Sequence, residues 1–168
     1  MDNHIYLCID LKTFYASCEC VMRNLDPFET NLVVADPSRG KGAICLAISP
    51  KLKAMGIRNR CRLFEIPDGI EYITAMPQMK KYMEFSSKIY SIYLRYIAKE
   101  DIYPYSIDEM FLDVTTYLSL YKTTPEKLAK ALMNKIRSEL GLPSACGIGT
   151  NLFLAKNLFI ISVTSEVV

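Results

Sequence analysis

Apolar positions along the chain fall into two patterns, short continuous runs and longer stretches with helical spacing. The run at residues 5–9 is closed by Asp10, which predicts a buried strand that ends on a carboxylate. At residues 79–99 apolar side chains recur every three or four positions, which predicts a long helix. The other predicted strands are 32–35, 43–48, 102–103, 110–114 and 145–148, the other predicted helices are 13–23, 50–55, 123–140 and 151–156, and 38–42 is a predicted loop.

Capping residues mark where two of these helices begin. Ser49 followed by Pro50 is typical of an N-cap with proline in the first turn. Thr123 and Glu126 have the spacing of a capping box, and the helix that they open is expected to end at Gly141.

The order of the predicted elements is β-α-β-β-α-α, followed by β-β-α-β-α. Strands interleaved with long helices are typical of a sheet covered by helices, in the α+β or α/β class. Apolar residues make up 51% of the 168 residues, which is enough for a core. We therefore expect one domain, or a compact domain that carries a small insert.

Charge and cysteine content exclude several classes of protein. The net charge of +2 does not by itself indicate nucleic-acid binding, so any positive surface must be local. The six cysteines and the single histidine lack the spacing of a zinc site, and we expect buried, reduced thiols of the kind found in the cytoplasm. The chain shows no signal peptide and no apolar stretch long enough to span a membrane, so no membrane partner is expected.

Three acidic residues stand out because their neighbours are apolar. Asp10 ends a predicted strand, and Asp108 and Glu109 are expected at the tip of a hairpin. An aspartate at a strand end is more often a simple turn residue, but adjacent acids in apolar sequence are costly unless they are liganded. Oxygen ligands without a nearby histidine favour Mg²⁺, and two Mg²⁺ ions about 3.5–4 Å apart serve phosphoryl and nucleotidyl transfer.

Every charged residue between Asp36 and Glu65 is positive. These residues are Arg39, Lys41, Lys51, Lys53, Arg58, Arg60 and Arg62. They predict a local binding site for a polyanion such as phosphate or the nucleic-acid backbone, although a solvated basic face has the same pattern. The glycines at 40 and 42 do not have the spacing of a P-loop, which disfavours a P-loop ATPase.

Three motifs together resemble those of Y-family (translesion) DNA polymerases, in particular UmuC-like, UV-damage-repair members of the ImpB/MucB/SamB type. They are IDLKTFYASCE at 9–19, YSIDEMFLD at 105–113 and GIGTNLFLAK at 147–156. The resemblance extends in order over residues 5–156. It implies DNA repair, as in the SOS response, by template-directed transfer of a deoxynucleotide from its triphosphate to the 3′-hydroxyl of a DNA primer.

The resemblance also implies a domain plan. A palm of the α+β class, with an antiparallel or mixed sheet backed by helices, is expected at 1–13 and 75–156, and a small fingers subdomain is expected as an insert at 14–74. Residues 157–168 do not match the family's thumb and little-finger domains, as in a truncated or frameshifted product. Because most phosphate contacts would lie in those domains, we expect weak binding to primer-template DNA. A sliding clamp or recombinase would bind through the same absent region.

Catalytic residues follow from the matched positions. The resemblance implies that Asp10, Asp108 and Glu109 are the catalytic carboxylates and hold two Mg²⁺ ions. It also implies that the backbone carbonyl of Leu11 is a further metal ligand.

Nucleotide and DNA contacts follow in the same way. The resemblance implies that Tyr15 is the gate that excludes a ribose 2′-hydroxyl and that Phe14 is the ring beside it. Ser49 and Lys53 are expected to contact the nucleotide, while the DNA-binding residues are expected to be Arg39, Lys41 and Lys156. Lys12, Ser49-Pro50 and Leu152 depart from residues frequent in the family, and these departures concern the nucleotide more than the metal ligands.

The residues alone are also compatible with two other classes of function. The first is a remnant that keeps the palm fold without catalysis and binds a nucleotide or a partner polymerase. The second is a palm-type nucleotide cyclase, which also places acids at strand ends for two metal ions. The pair Phe14-Tyr15 and the segment that ends at Lys156 disfavour the cyclase.

Overall fold

The computed structural model describes residues 3–157 and 159–163. In chain order its strands and α-helices are β1 (Tyr6–Leu11), α1 (Phe14–Met22), β2 (Leu32–Val34), β3 (Ala47–Ile48), α2 (Pro50–Ala54), β4 (Ile73–Ala75), α3 (Met79–Leu94), β5 (Ile102–Pro104), β6 (Glu109–Asp113), α4 (Thr115–Leu120), α5 (Pro125–Leu140), β7 (Ser144–Gly149), α6 (Leu152–Asn157) and β8 (Phe159–Val163). The mixture of sheets and helices confirms the α+β class.

The chain divides into two compact units. The sheet unit comprises the described parts of Met1–Leu11 and Met83–Val168, and the inserted unit is Lys12–Tyr82. The boundary between Tyr82 and Met83, where the chain returns to the sheet unit, lies within α3. That these units are a palm and a fingers subdomain stays a prediction at this point.

A five-stranded sheet forms the sheet unit, with the order β5-β6-β1-β7-β8 and antiparallel pairing throughout. Its central strand β1 carries Leu7, Cys8 and Ile9, which have no exposed surface, because a strand covered on both faces must be apolar at every position. Helix α5 packs against β7, β8 and β1, and α6 packs against β7 and β1.

The inserted unit contains a second, three-stranded sheet in the order β3-β2-β4. Strand β2 pairs antiparallel with β3 and parallel with β4. Successive residues of β2 supply two small cores: Val33 packs into one with Leu52, whereas Leu32 and Val34 pack into the other with Ala16 of α1. This alternation is the period of two expected of a strand with both faces covered.

Local signals place several element ends as predicted. Ser49 caps α2, because its Oγ accepts from the backbone N–H of Leu52 at 3.5 Å. Helix α5 ends at Gly141, whose φ of 73° lies in the left-handed region that glycine adopts without strain. The N-cap of α5 was predicted one residue too early: it is Thr124 that accepts from the N–H of Lys127, at 3.3 Å.

Other boundaries differ from the predicted ones. The predicted strand at 43–48 is regular only over Ala47–Ile48, with an isolated bridge between Ile44 and Arg62. The predicted loop at 38–42 is part of a 3-10 segment, Pro37–Gly42. Helix α3 ends at Leu94, before the predicted end at 99. Strand β4 and helix α4 were not predicted.

Other expectations from composition can be compared directly with the structure. All six cysteines are free thiols and buried, as predicted. The apolar segment at 159–163, left open between an edge strand and sequence foreign to the fold, pairs with β7 as edge strand β8. Of the predicted tail at 157–168, residues 158 and 164–168 lie outside the described residues. Within the described part of the chain, no helix is both long and apolar enough to cross a membrane.

Candidate active site

The pairing of β1 with β6 brings the predicted acids together at one end of the five-stranded sheet. Asp10 lies directly opposite Glu109 in the antiparallel register, and residues paired in this way project from the same face. The N–H of Leu11 donates to the backbone carbonyl of Asp108 at 2.9 Å, so Asp108 lies beside the end of β1. All three acids are half-buried.

Two groups contact the carboxylate of Glu109 from within the sheet unit. The Cys8 thiol donates to Oε1 at 3.2 Å, and Nζ of Lys156 lies 3.5 Å from Oε2. Burial, followed by the hydrogen bond to Glu109, raises the pKa of the Cys8 thiol. Cys8 is therefore a neutral donor, and the positive charge beside Glu109 comes from Lys156. Sequence reasoning missed Cys8, although its position two residues before Asp10 on the same strand places it on the same face.

Lys156 has a second partner in an aromatic ring. Its Nζ lies 3.8 Å from the centroid of the Tyr105 ring, within the range of a cation–π interaction. Burial opposes the charged form, but contacts with Tyr105 and Glu109 outweigh it and raise the pKa of Lys156. The sequence predicted Lys156 near primer DNA, and the structure places it beside a predicted metal ligand.

Asp108 lies in the bend before β6. The Ser106 hydroxyl donates to its Oδ1 at 2.8 Å. Ser106 belongs to the same motif as Asp108 and Glu109, and its hydrogen bond fixes one of the two carboxylate oxygens of Asp108.

The chemistry of these donors fits a hard divalent cation, since they are carboxylate oxygens at the ends of two adjacent strands. Their present side-chain positions do not form a finished cluster: over residues 3–157 and 159–163, no three histidine, cysteine or acidic side chains are grouped as a metal site. Glu109 and Asp108 are instead engaged by Lys156 and Ser106.

A separate cavity of about 1040 Å³ lies within the inserted unit. It is lined by Tyr15, Asp36, Arg39, Gly42, Ala43, Ile44, Leu46, Arg60, Arg62, Met76, Pro77 and Met79. Tyr15 and Arg39, predicted to contact nucleotide and DNA, therefore share one cavity. Arg60 and Arg62 line the same cavity. In the sequence, both belong to the uninterrupted run of positive charges between Asp36 and Glu65.

The wall of this cavity combines positively charged and apolar side chains. Arg62 donates through Nη1 to the carbonyl of Gly42 at 2.7 Å, which holds its guanidinium at the wall of the cavity. Ile44 and Leu46 are 49% and 44% exposed and alternate with buried neighbours, so both present apolar surface to the cavity. A wall of this composition suits a ligand with an anionic part and a flat apolar part.

The two predicted aromatic residues of α1 differ in environment. Phe14 is buried in the core, whereas Tyr15 is half-buried and lines the cavity. Their ring centroids are 6.0 Å apart.

The remaining predicted contacts of the inserted unit also differ. Lys41 and Lys53 are exposed. Ser49 has no exposed surface, and its Oγ accepts from the N–H groups of Leu32 and Leu52. The Ser49 hydroxyl oxygen is thus used to cap α2 and to bind β2, and a contact between Ser49 and a nucleotide stays a prediction.

Comparison with known proteins identifies the family. Residues 9–158 match the impB/mucB/samB family, a span that contains all three motifs and all three acids. The chain belongs to the impB/mucB/samB family. The resemblance predicted from the motifs is thereby confirmed.

Curated relatives of this impB/mucB/samB chain are named as DNA repair proteins or as DNA polymerases. UvrX of Bacillus subtilis (strain 168), named for UV-damage repair, is 38% identical over 151 residues, which are 89% of this chain and 35% of UvrX. DNA polymerase IV 2 of the same organism is 34% identical over 160 residues, 93% of this chain and 37% of the polymerase. The chain thus spans little more than a third of the length of these relatives. The DNA repair protein homolog YozK is 38% identical over 103 residues, 61% of this chain and 90% of YozK.

Solved structures show the same fold. A Y-family DNA polymerase chimera, Dbh-Dpo4(243-245)-Dbh, matches with a TM-score of 0.76 at 22% identity over 90% of this chain and 44% of the chimera. DinB from Sulfolobus solfataricus matches with a TM-score of 0.72 at 23% identity over 90% of this chain and 44% of its own. The impB/mucB/samB chain therefore has the fold of the N-terminal part of such polymerases.

Proposed function

We propose that this chain is the catalytic part of a translesion DNA polymerase and transfers deoxynucleotides to a primer 3′-hydroxyl under the direction of a template. The observation that carries the proposal is the placement of Asp10 opposite Glu109, with Asp108 beside them, in a member of the impB/mucB/samB family. Relatives named DNA polymerase IV support the same substrates, which are deoxynucleoside triphosphates and primer-template DNA.

In this proposal the sheet unit is the palm and holds the metal ligands. Asp10, Asp108, Glu109 and the carbonyl of Leu11 would hold two Mg²⁺ ions, which activate the attacking hydroxyl and stabilise charge on the phosphates when bound. Binding of a cation there would replace the present contacts of Glu109 with Lys156 and of Asp108 with Ser106. Lys156 would then be available to contact the phosphates of the primer.

The inserted unit is the proposed fingers subdomain and binds the nucleotide. Tyr15 excludes the 2′-hydroxyl of a ribonucleotide, with Phe14 supporting it from the core. Lys53 contacts the triphosphate, and Arg39 and Lys41 contact the DNA backbone. Arg60 and Arg62 supply further positive charge in the Tyr15 cavity, where they would neutralise phosphate oxygens.

We place this activity in repair of damaged DNA during the SOS response, in the cytoplasm. Six free, buried thiols support a reducing compartment. A sliding clamp or recombinase would be engaged by other parts of a longer polymerase.

One observation favours a second candidate function, a nucleotide-binding module without catalysis. Nζ of Lys156 lies 3.5 Å from Oε2 of Glu109 and neutralises one of the predicted metal ligands. In such a module the ion pair between Lys156 and Glu109 is permanent. A nucleotide still binds in the cavity lined by Tyr15.

Primer extension with Mg²⁺ and deoxynucleoside triphosphates on an undamaged template separates the two candidates. The catalytic proposal predicts extension that disappears in the Asp108→Ala, Glu109→Ala double variant. Absence of extension, with deoxynucleotide binding retained, would support the non-catalytic module. Incubation with a triphosphate and no DNA gives no cyclic product in either case, and such a product would identify a cyclase.

A further inference from the structure

Glu19 is a fully buried acid that the proposed chemistry does not use. It lies on α1, and its side chain has no exposed surface. A buried carboxylate is costly unless charge and hydrogen bonds compensate it, so its partners indicate what it does.

Three side chains of the inserted unit contact the Glu19 carboxylate. The Tyr82 hydroxyl donates to Oε1 at 2.6 Å, and the Gln78 amide donates to Oε1 and Oε2 at 3.0 and 3.1 Å. Arg23 pairs with Oε2 and also donates to the Glu19 carbonyl at 2.9 Å. The acid thus links its own helix to the N-terminal turn of α3.

Tyr82 connects this buried network to the cavity. Tyr15 and Glu19 are four residues apart on α1 and so lie on one face of the helix. Tyr82 contacts both of them: its hydroxyl binds Glu19, and its ring stacks on Tyr15 with the centroids 4.7 Å apart and the planes at 20°. Tyr15 is half-buried at the cavity wall, whereas Tyr82 has no exposed surface.

We propose that Glu19 is a positioning residue for sugar selection, acting through Tyr82 on the ring of Tyr15. The hydrogen bond at 2.6 Å fixes the far end of the Tyr82 side chain, and the stacked face of that ring then fixes the plane of Tyr15. Without this bond Tyr82 retains its burial but loses the anchor that sets its tilt. The inference rests on the proposed role of Tyr15 as the gate against a 2′-hydroxyl.

A nucleotide-binding comparison tests the selectivity. The affinities of the chain for dATP and for ATP are measured by fluorescence titration in Tyr82→Phe and Glu19→Gln variants. Each variant is expected to reduce the preference for dATP several-fold, mainly by tighter binding of ATP. Tyr93→Phe is the matched control, because Tyr93 is equally buried on the same helix and its hydroxyl has no hydrogen-bond partner among the described residues. It should leave the preference unchanged, and thermal unfolding verifies that each variant is folded.

Tyr15→Ala separates the failure of this inference from that of the gate. If Tyr15→Ala abolishes the preference for dATP while Tyr82→Phe and Glu19→Gln retain it, the gate stands and the positioning role is wrong. If Tyr15→Ala retains the preference, the gate itself is wrong.

A nucleotide-free measurement tests the positioning step alone. In 3-fluorotyrosine-labelled protein, the ¹⁹F resonance that is missing in Tyr15→Phe belongs to Tyr15. Tyr82→Phe and Glu19→Gln should shift or broaden it, and Tyr93→Phe should not. An unchanged Tyr15 resonance in both variants would overturn the inference whatever the nucleotide data show.

Discussion

Asp10 and Glu109 are separated by almost a hundred positions in the chain, yet they lie directly opposite each other between β1 and β6. The register is determined by the apolar residues on either side, because a slip of one residue would turn every side chain of β1 to the other face. The core of the sheet unit therefore holds the two carboxylates opposite each other although their like charges repel.

Glu109→Gln should weaken divalent-cation binding at least tenfold, as expected when an oxygen ligand loses its charge. Mn²⁺ is the suitable probe, because its electron paramagnetic resonance signal reports the free ion directly. Asp113→Asn is the matched control, since Asp113 ends the same strand and pairs with Tyr6 rather than with Asp10. Equal Mn²⁺ affinity in Glu109→Gln and the unaltered chain would contradict the metal site.

The acidic end of the sheet could be predicted because its strands are short apolar runs with clear ends. The same reasoning failed at β4, where only Ala75 is buried and Ile73 and Thr74 are exposed. Its strand conformation comes from parallel pairing with β2, which no local pattern reveals. The end of α3 was missed for a related reason: Ile97 keeps the helical spacing and is buried, but it lies beyond Leu94 in a closing turn.

Side-chain partners were harder to predict than strands. Glu19 belongs to a recognised motif, but nothing in its sequence neighbourhood indicates full burial, which depends on Tyr82 and Gln78 far along the chain. Cys8 and Lys156 are likewise brought to Glu109 by the tertiary fold.

Gly149→Ala should destabilise the packing of α6 on the sheet. A Cβ at Gly149 would clash with the backbone nitrogen of Ala155, closer than real Cβ contacts ever come. Overpacking of this kind costs about 1–3 kcal/mol, and it should also displace Lys156, which follows Ala155 on α6. Urea unfolding measures this loss of stability. Gly42→Ala is the control: its Cβ would have no neighbour within 4 Å, so stability should be unchanged.

Asp113 should make stability depend on pH at the acidic end. Burial opposes ionisation, but hydrogen bonds from Thr115 and pairing with His4 at 2.9 Å outweigh it and lower the pKa of Asp113. The folded-state pKa of Asp113 lies below the unfolded value of about 3.9, so ionised Asp113 stabilises the folded state. This stabilisation is complete above pH about 3.9 and is lost as the pH falls through the folded-state pKa. Urea unfolding at pH 5 and pH 3 should show a smaller difference in Asp113→Asn than in the unaltered chain. An equal difference in both would show that Asp113 does not contribute.

Tyr82 and Tyr93 provide a stability comparison within one helix. Both are fully buried on α3, but the Tyr82 hydroxyl donates to Glu19 and the Tyr93 hydroxyl has no partner in the described structure. Tyr82→Phe leaves a buried carboxylate with one donor fewer and should lower the free energy of unfolding by about 1–3 kcal/mol. Tyr93→Phe removes a hydroxyl that burial has separated from water, so it should leave that free energy unchanged or raise it by about 1 kcal/mol. Urea unfolding at neutral pH measures both, and a loss of stability in Tyr93→Phe as large as that in Tyr82→Phe would mean that its hydroxyl has a partner after all. Opposite signs would show that the Glu19 bond, rather than the burial of a tyrosine on α3, is what stabilises this part of the inserted unit.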